Sequence, residues 1–147
     1  MSEQDRLMSI GFLLGVTHRK LAASLHHRLK AYDITPEQWS VLYHVIHEEG
    51  MIQKSIAEQT YKDKPTVTRI LHQLEHKGWI VRQADAVDRR SYRIYSTEQG
   101  RKLIAQTTAI EESITDEVMH CLGEKEHEHL KQMLLKLNDY FGQDMES

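Results

Sequence analysis

The residues with the clearest chemical purpose lie in Lys64-Pro-Thr-Val-Thr-Arg-Ile-Leu-His-Gln-Leu-Glu-His-Lys77. Lys64, Thr66, Thr68, Arg69 and His72 combine two short hydroxyls with cationic and imidazole groups. Such side chains donate to phosphate oxygens and to the edges of bases, whereas a face meant only for solubility would carry Glu and Lys. A second group follows at Asp88-Arg-Arg90. Adjacent arginines on a loop can lay one guanidinium in the minor groove, where negative potential is concentrated, while the other reaches a phosphate. Asp88 beside them suits a brace that orients an arginine through a charge-assisted hydrogen bond.

These groups need elements to hold them. Val67, Ile70, Leu71 and Leu74 recur at spacings of three and four, so the first group lies on a helix with one apolar stripe. Gln53 to Thr60 reads as a shorter helix with Ile56 and Ala57 inward, and Asp63 can cap the helix after it, with Pro65 harmless in the first turn. Two short helices joined by a tight turn have the helix-turn-helix layout, although a plain helical hairpin shares the pattern. After Gly78 the period changes to two. Trp79 to Gln83 and Ser91 to Ser96 read as strands flanking a polar loop, which makes a β-hairpin wing.

Upstream, Thr35-Pro-Glu-Gln38 is a capping box with proline at the first helical position, followed by Trp39, Leu42, Val45 and Ile46 and ended by Gly50. Asp5 to Ala31 reads as one long amphipathic helix bearing Leu7, Ile10, Leu13, Leu14, Val16, Leu21, Leu25 and Leu29. Thr97 caps a helix to about Leu122 with Leu103, Ile104, Ile110, Ile114, Val118 and Cys121 inward. Gly123 breaks it, and a last helix carries Leu130, Met133, Leu134, Leu137 and Phe141. Apolar stripes at both ends of the chain suit a two-fold dimer with a reading head on each protomer.

The bulk composition agrees. The chain has 147 residues, 39% hydrophobic and 28% charged, as expected for one folded domain. The formal net charge is −3, but residues 62–102 hold 10 Lys and Arg against 5 Asp and Glu, and residues 103–147 hold 3 against 10. Attraction to a polyanion depends on charge within about 10 Å of it at moderate salt, so a basic middle works under an acidic total. No apolar run reaches the roughly 18 to 20 residues needed to cross a bilayer, and Met1-Ser-Glu-Gln-Asp lacks a signal-peptide pattern. A cytoplasmic protein without a membrane partner is expected. A single cysteine, Cys121, permits no internal disulfide.

Four segments in order, Pro65-Thr-Val-Thr-Arg69, Leu74-Glu-His-Lys-Gly78, Asp88-Arg-Arg90 and Thr97-Glu-Gln-Gly100, resemble the MarR family of bacterial transcription regulators over nearly the whole chain. The resemblance implies a mainly α winged helix-turn-helix fold with a small β-hairpin wing. Residues 35–102 would form the DNA-binding region, and residues 5–31 and 103–147 would mainly dimerise, within a single domain spanning 1–147. It implies double-stranded DNA with a palindromic operator as partner, and a homodimer that represses until a small effector releases it. Lys64, Thr66, Thr68, Arg69, His72, Arg89 and Arg90 would meet DNA, with Arg90 in the minor groove and Asp88 bracing it. Trp79 and Ser96 depart from the aliphatic residues usual at their positions, both at the root of the wing.

Effector signals are weaker. An oxidant sensor of the organic-peroxide type needs a cysteine in the first helix, and none is there; Cys121 ends an apolar stripe and reads as a buried, inert thiol. The pairs His72/His76 and His44/His47 have spacings that can offer two ligands on one face, but no closed metal signature accompanies them, so no metal or other cofactor is assigned. Val16, Trp39 and Tyr43 are the candidates for the wall of an aromatic-ligand pocket that the resemblance implies; the plainer reading makes them core. A metal-responsive regulator of the same fold and a winged-helix module for protein contacts are the alternatives. Nothing pairs a nucleophile with a base or builds a phosphate loop, so no enzyme is expected.

Overall fold

The computed structural model describes residues 1–142 of the chain. Its order is α1 (Glu3–Leu7), α2 (Ile10–Leu29), a 3₁₀ turn (Lys30–Tyr32), α3 (Pro36–His47), β1 (Met51–Ile52), α4 (Gln53–Thr60), α5 (Lys64–His76), β2 (Ile80–Ala84), β3 (Tyr92–Ser96), α6 (Glu98–Leu122) and α7 (Glu124–Gly142). The fold is mostly helical with one three-stranded antiparallel sheet in the order β1-β3-β2. It divides into two compact units, residues 1–110 and 111–147. The last five residues of the expected dimerisation segment 103–147 lie outside the described residues.

In the first unit the core is built from α3, α4, α5 and the sheet. Leu29, Val41, Leu42, Val45, Ile56, Val67, Ile70, Leu71 and Leu74 are fully buried, and Ile80, Ile94, Leu103 and Ile104 close around them. The capping box of α3 forms as the sequence requires. Thr35 Oγ1 accepts from the Gln38 amide, and Gln38 Oε1 accepts from the Thr35 amide, each at 3.1 Å. Trp39 is buried, and its indole N–H donates to Thr107 Oγ1 at 2.8 Å, satisfying the one polar atom of a large core side chain.

The single long helix expected over Asp5 to Ala31 is instead two. Ser9 interrupts it, because its hydroxyl accepts from the Phe12 amide at 3.3 Å and starts a fresh N-terminus, while Ser2 and Asp5 form a capping box on the short α1. Of the expected stripe, Leu29 is buried and Leu25 packs on the core; Leu7, Ile10, Leu13, Leu14 and Leu21 are exposed, with Met8 and Phe12 beside them.

The strands begin one residue later than their pattern suggests. Trp79 belongs to the end of α5. Gly78 adopts φ +78°, its amide donates to Glu75 O at 3.0 Å, and the Trp79 amide donates to Leu74 O at 3.0 Å, which is a Schellman closure. The buried Trp79 ring supplies the hydrophobic contact such a closure favours, and this accounts for an aromatic residue at that place.

In the second unit, Gly123 at φ +84° separates the end of α6 from α7. Ile114, Val118 and Leu134 are half-buried, α7 buries no side chain completely, and Met119, Leu122, Leu130, Met133, Leu135, Leu137, Tyr140 and Phe141 are exposed. Cys121, read as buried, is exposed as well. A stripe at helical spacing shows which side chains share a face, but it leaves open whether this chain covers that face.

Candidate nucleic-acid interface

α4 and α5 are joined by Tyr61, Lys62 and Asp63. Tyr61 takes the left-handed conformation at φ +54°, and the Lys62 amide donates to Ala57 O at 3.1 Å, closing α4. Asp63 then caps α5, its carboxylate accepting from the Thr66 amide at 2.8 Å. That backbone bond is the main cause that holds the Asp63 carboxyl below its ordinary range. A folded-state pKa below the unfolded one stabilises the fold at pH values above the ordinary carboxylate value, about 4, and the benefit fades as pH falls through it. Asp63→Ala should therefore lower the urea midpoint at pH 7, and the gap to the parent should narrow at about pH 3. An equal gap at both pH values would show that charge contributes nothing to the cap.

The faces of α5 follow from about 100° per residue. Val67, Ile70, Leu71 and Leu74 set the inward direction, which places Pro65, Arg69, His72 and His76 on the outermost ridge and Thr66 and Thr68 on opposite flanks. Thus Lys64, Thr68, Arg69 and His72 are exposed while Thr66 is half-buried. Thr68 Oγ1 donates to Lys64 O at 2.9 Å and accepts from Gln53 Nε2, so α4 steadies this hydroxyl. Pro65 and His76, which share the ridge, were not among the DNA-contact candidates; a helical wheel centred on the apolar stripe finds them.

A third face of α5 is tied to the start of α3. Arg69 Nη2 lies 3.2 Å from Glu37 Oε2, and Gln38 Nε2 donates to Gln73 Oε1 at 3.0 Å. Lys77 Nζ donates to Asp33 O, lies 3.5 Å from the Asp33 carboxylate and sits 4.9 Å above the Trp79 ring. Residues 69, 73 and 77 are spaced by four, so one edge of the helix is laced to its neighbour.

β2 and β3 pair from Ile80↔Ser96 to Ala84↔Tyr92 and carry the loop between them as a wing. Arg89 and Arg90 are exposed at its tip and make no ion pair among the described residues. Asp88 does brace the loop, but differently from the expected side-chain pairing: its carboxylate accepts from the backbone amide of Arg90 at 3.0 Å. The reason is reach, since an aspartate two residues upstream meets a turn amide before it meets a guanidinium. Paired guanidinium groups lie lower on the hairpin: Arg93 is 3.2 Å from Asp85 and donates to Gly50 O at 2.9 Å, and Arg82 lies 3.5 Å from Glu75. The hydrogen bond from Arg93 holds the Asp85 carboxyl below the ordinary range.

The effector candidates separate. Trp39 and Tyr43 stack at 5.0 Å with planes 11° apart, and His47 continues the stack from Tyr43 at 6.4 Å. Trp39 is core, Tyr43 is exposed and Val16 is half-buried on α2.

A helix-turn-helix followed by a hairpin whose β3 also pairs with β1 defines the winged helix-turn-helix class. A family model described as the MarR family matches residues 34–92, and over that segment the chain is similar to this family. Three similar solved structures extend the likeness beyond that segment. One is the MepR–DNA complex of S. aureus, 29% identical with a TM-score of 0.83, covering 90% of this chain and 98% of the other. A second is the transcriptional regulator SlyA, 28% identical with a TM-score of 0.86, covering 94% and 97%. The third is the transcriptional repressor CouR bound to a 23-mer DNA duplex, 25% identical with a TM-score of 0.84, covering 93% and 97%.

Proposed function

We propose that this chain is a transcriptional regulator that binds a palindromic DNA operator as a homodimer and represses until a small aromatic or similar effector releases it. The observation that carries the reading is the pairing of two basic, exposed elements on one unit: the ridge of α5 and the arginine tip of the wing. A helix of this width fits the major groove, and the wing tip reaches the neighbouring minor groove. On this reading Lys64, Thr68, Arg69, His72 and Arg89 meet bases or phosphates, half-buried Thr66 offers its hydroxyl from the flank of the helix, and Arg90 enters the minor groove. The similarity to MepR and CouR, each solved with DNA, supports it.

Dimerisation is supported by apolar surface that each unit leaves exposed on its own: Leu7, Ile10, Leu13 and Leu14 in the first, and Met133, Leu137 and Phe141 in the second. Residues 5–31 and 103–147 then serve mainly as the dimer interface and residues 35–102 as the reading head. Two heads related by a two-fold axis meet half-sites about 34 Å apart, or a multiple of that. Val16, Tyr43 and the edge of Trp39 remain the proposed effector wall. A chain that works by binding operators acts in the cytoplasm and needs no catalytic machinery. No helix among the described residues is long and apolar enough to cross a membrane.

Fluorescence anisotropy with double-stranded fragments, repeated across salt concentrations, tests the reading. Affinity should fall with log salt at a slope of about −0.9 for each phosphate neutralised, and Arg90→Ala should reduce that slope by about one. A flat response would remove DNA as the partner and favour a module for protein contacts.

A further inference from the structure

β3 is the middle strand, and its partner on one side runs out early. β1 has only two residues, paired Met51↔Ile94 and Ile52↔Arg93. The Gly50 amide still donates to Ile94 O at 2.9 Å, so the β1 side is where the Ile94 carbonyl points. Strand groups alternate sides with a period of two, so the amide and carbonyl of Ser96 point to that same side. Continuing the register puts Glu49 opposite Ser96, but Gly50 at φ +84° turns the backbone away before it arrives.

Side chains take over where the strand stops. Glu49 Oε2 accepts from the Ser96 amide at 2.9 Å, and Glu49 Oε1 accepts from the Ser96 hydroxyl. From the other direction Arg101, in the first turns of α6, donates through Nη1 to both Ser96 O and Ser96 Oγ at 3.0 Å. One carboxylate and one guanidinium thus satisfy the backbone and side chain of a residue that is only 8% exposed. A leucine at this position would remove the hydroxyl that the two exposed charged side chains share and leave only their bonds to the Ser96 backbone. Ser96 is also the residue at which the hairpin leaves the sheet for α6.

We propose that Glu49 and Arg101 are positioning residues which, through Ser96, fix the angle at which the wing leaves the body of the fold and so the depth at which Arg90 meets the minor groove. The inference rests on the DNA-binding reading above and deepens it. The carboxylate and the guanidinium act at a distance from DNA, and their effect reaches it through the wing alone. An epistatic signature follows: loss of the clamp matters only while the wing tip can make its contact.

The test uses the full-length protein and a duplex it has selected from a random-sequence pool. Glu49→Ala should weaken binding about tenfold in the parent and in an Arg69→Ala background, yet have no further effect once Arg90→Ala is present. Hydroxyl-radical protection in the minor groove should fade in Glu49→Ala while guanine-N7 methylation interference in the major groove persists. Should Glu49→Ala fail to fold by circular dichroism, Ser96→Ala, which keeps the backbone bonds, is held to the same pattern. Equal losses in the Arg69→Ala and Arg90→Ala backgrounds, or parental affinity for the variants, overturn the inference and leave the function intact. Failure of the parent to select any duplex overturns the function itself, and the inference with it.

Discussion

Gly100→Ala should destabilise the protein by about 3 kcal/mol and lower its melting temperature by roughly 10 °C, the reverse of what the substitution does in an ordinary helix. Replacing glycine by alanine inside a helix normally gains up to about 1 kcal/mol, because alanine loses less backbone entropy on folding. Here a Cβ would stand 2.3 Å from Trp79 O, 3.1 Å from Trp79 C and 3.2 Å from its Cα. All three atoms are backbone, and they are held in place. Trp79 O accepts from the Thr97 amide at 3.0 Å, Thr97 Oγ1 donates to Gly78 O at 2.7 Å, and the Gly100 amide donates to Thr97 Oγ1 at 3.1 Å. The extra carbon can be accommodated only by pushing α6 away from the base of the wing, which breaks that set of bonds. Differential scanning calorimetry of the two proteins decides the matter; a melting temperature within about 1 °C of the parent would mean that the contact relaxes at no cost.

That contact also shows where sequence reasoning stops. α4 was legible over its span and α5 to within one residue at its end; in α5 a cap, a proline in the first turn and an apolar stripe are local signals that agree with one another. The Thr97-Glu-Gln-Gly100 segment was visible as a pattern, but the reason for its glycine is a backbone 21 positions earlier in the chain. β1 was missed because two residues carry no period; the strand exists only as a partner for β3. Ser9 was hidden inside a run of apolar residues whose spacing continues across the break. For the site, residue type and face located the ridge and the wing arginines. The partners Glu37, Gln38 and Glu49 lie tens of residues from the groups they hold, and nothing local announces such pairs. A local turn took Asp88 to a backbone amide two residues on, while a tertiary contact ties Arg93 to Gly50 O.

The Glu37 contact bears on the largest functional effect expected in the recognition helix. On the proposed reading Arg69→Ala should weaken operator binding about 5- to 150-fold, the range expected when a bidentate arginine–guanine contact worth about 1 to 3 kcal/mol is lost. In the free protein that guanidinium is 3.2 Å from Glu37, with the two side chains 53% and 55% exposed. A pair so open to water is worth about 0 to 1 kcal/mol, too little to hold Arg69 against a guanine edge. Glu37 therefore acts as a weak competitor, and as a negative charge near the DNA backbone it opposes binding in a second way. Both effects have the same sign. Glu37→Gln should tighten binding by about two- to fivefold at moderate salt, with a smaller gain when salt is raised. In an Arg69→Ala background only the second effect is left, so the gain should shrink. Dissociation constants for the four proteins on one fragment measure all of this. If Glu37→Gln weakens binding instead, the carboxylate holds Arg69 in the pose that DNA requires, and the ion pair belongs to the reading surface.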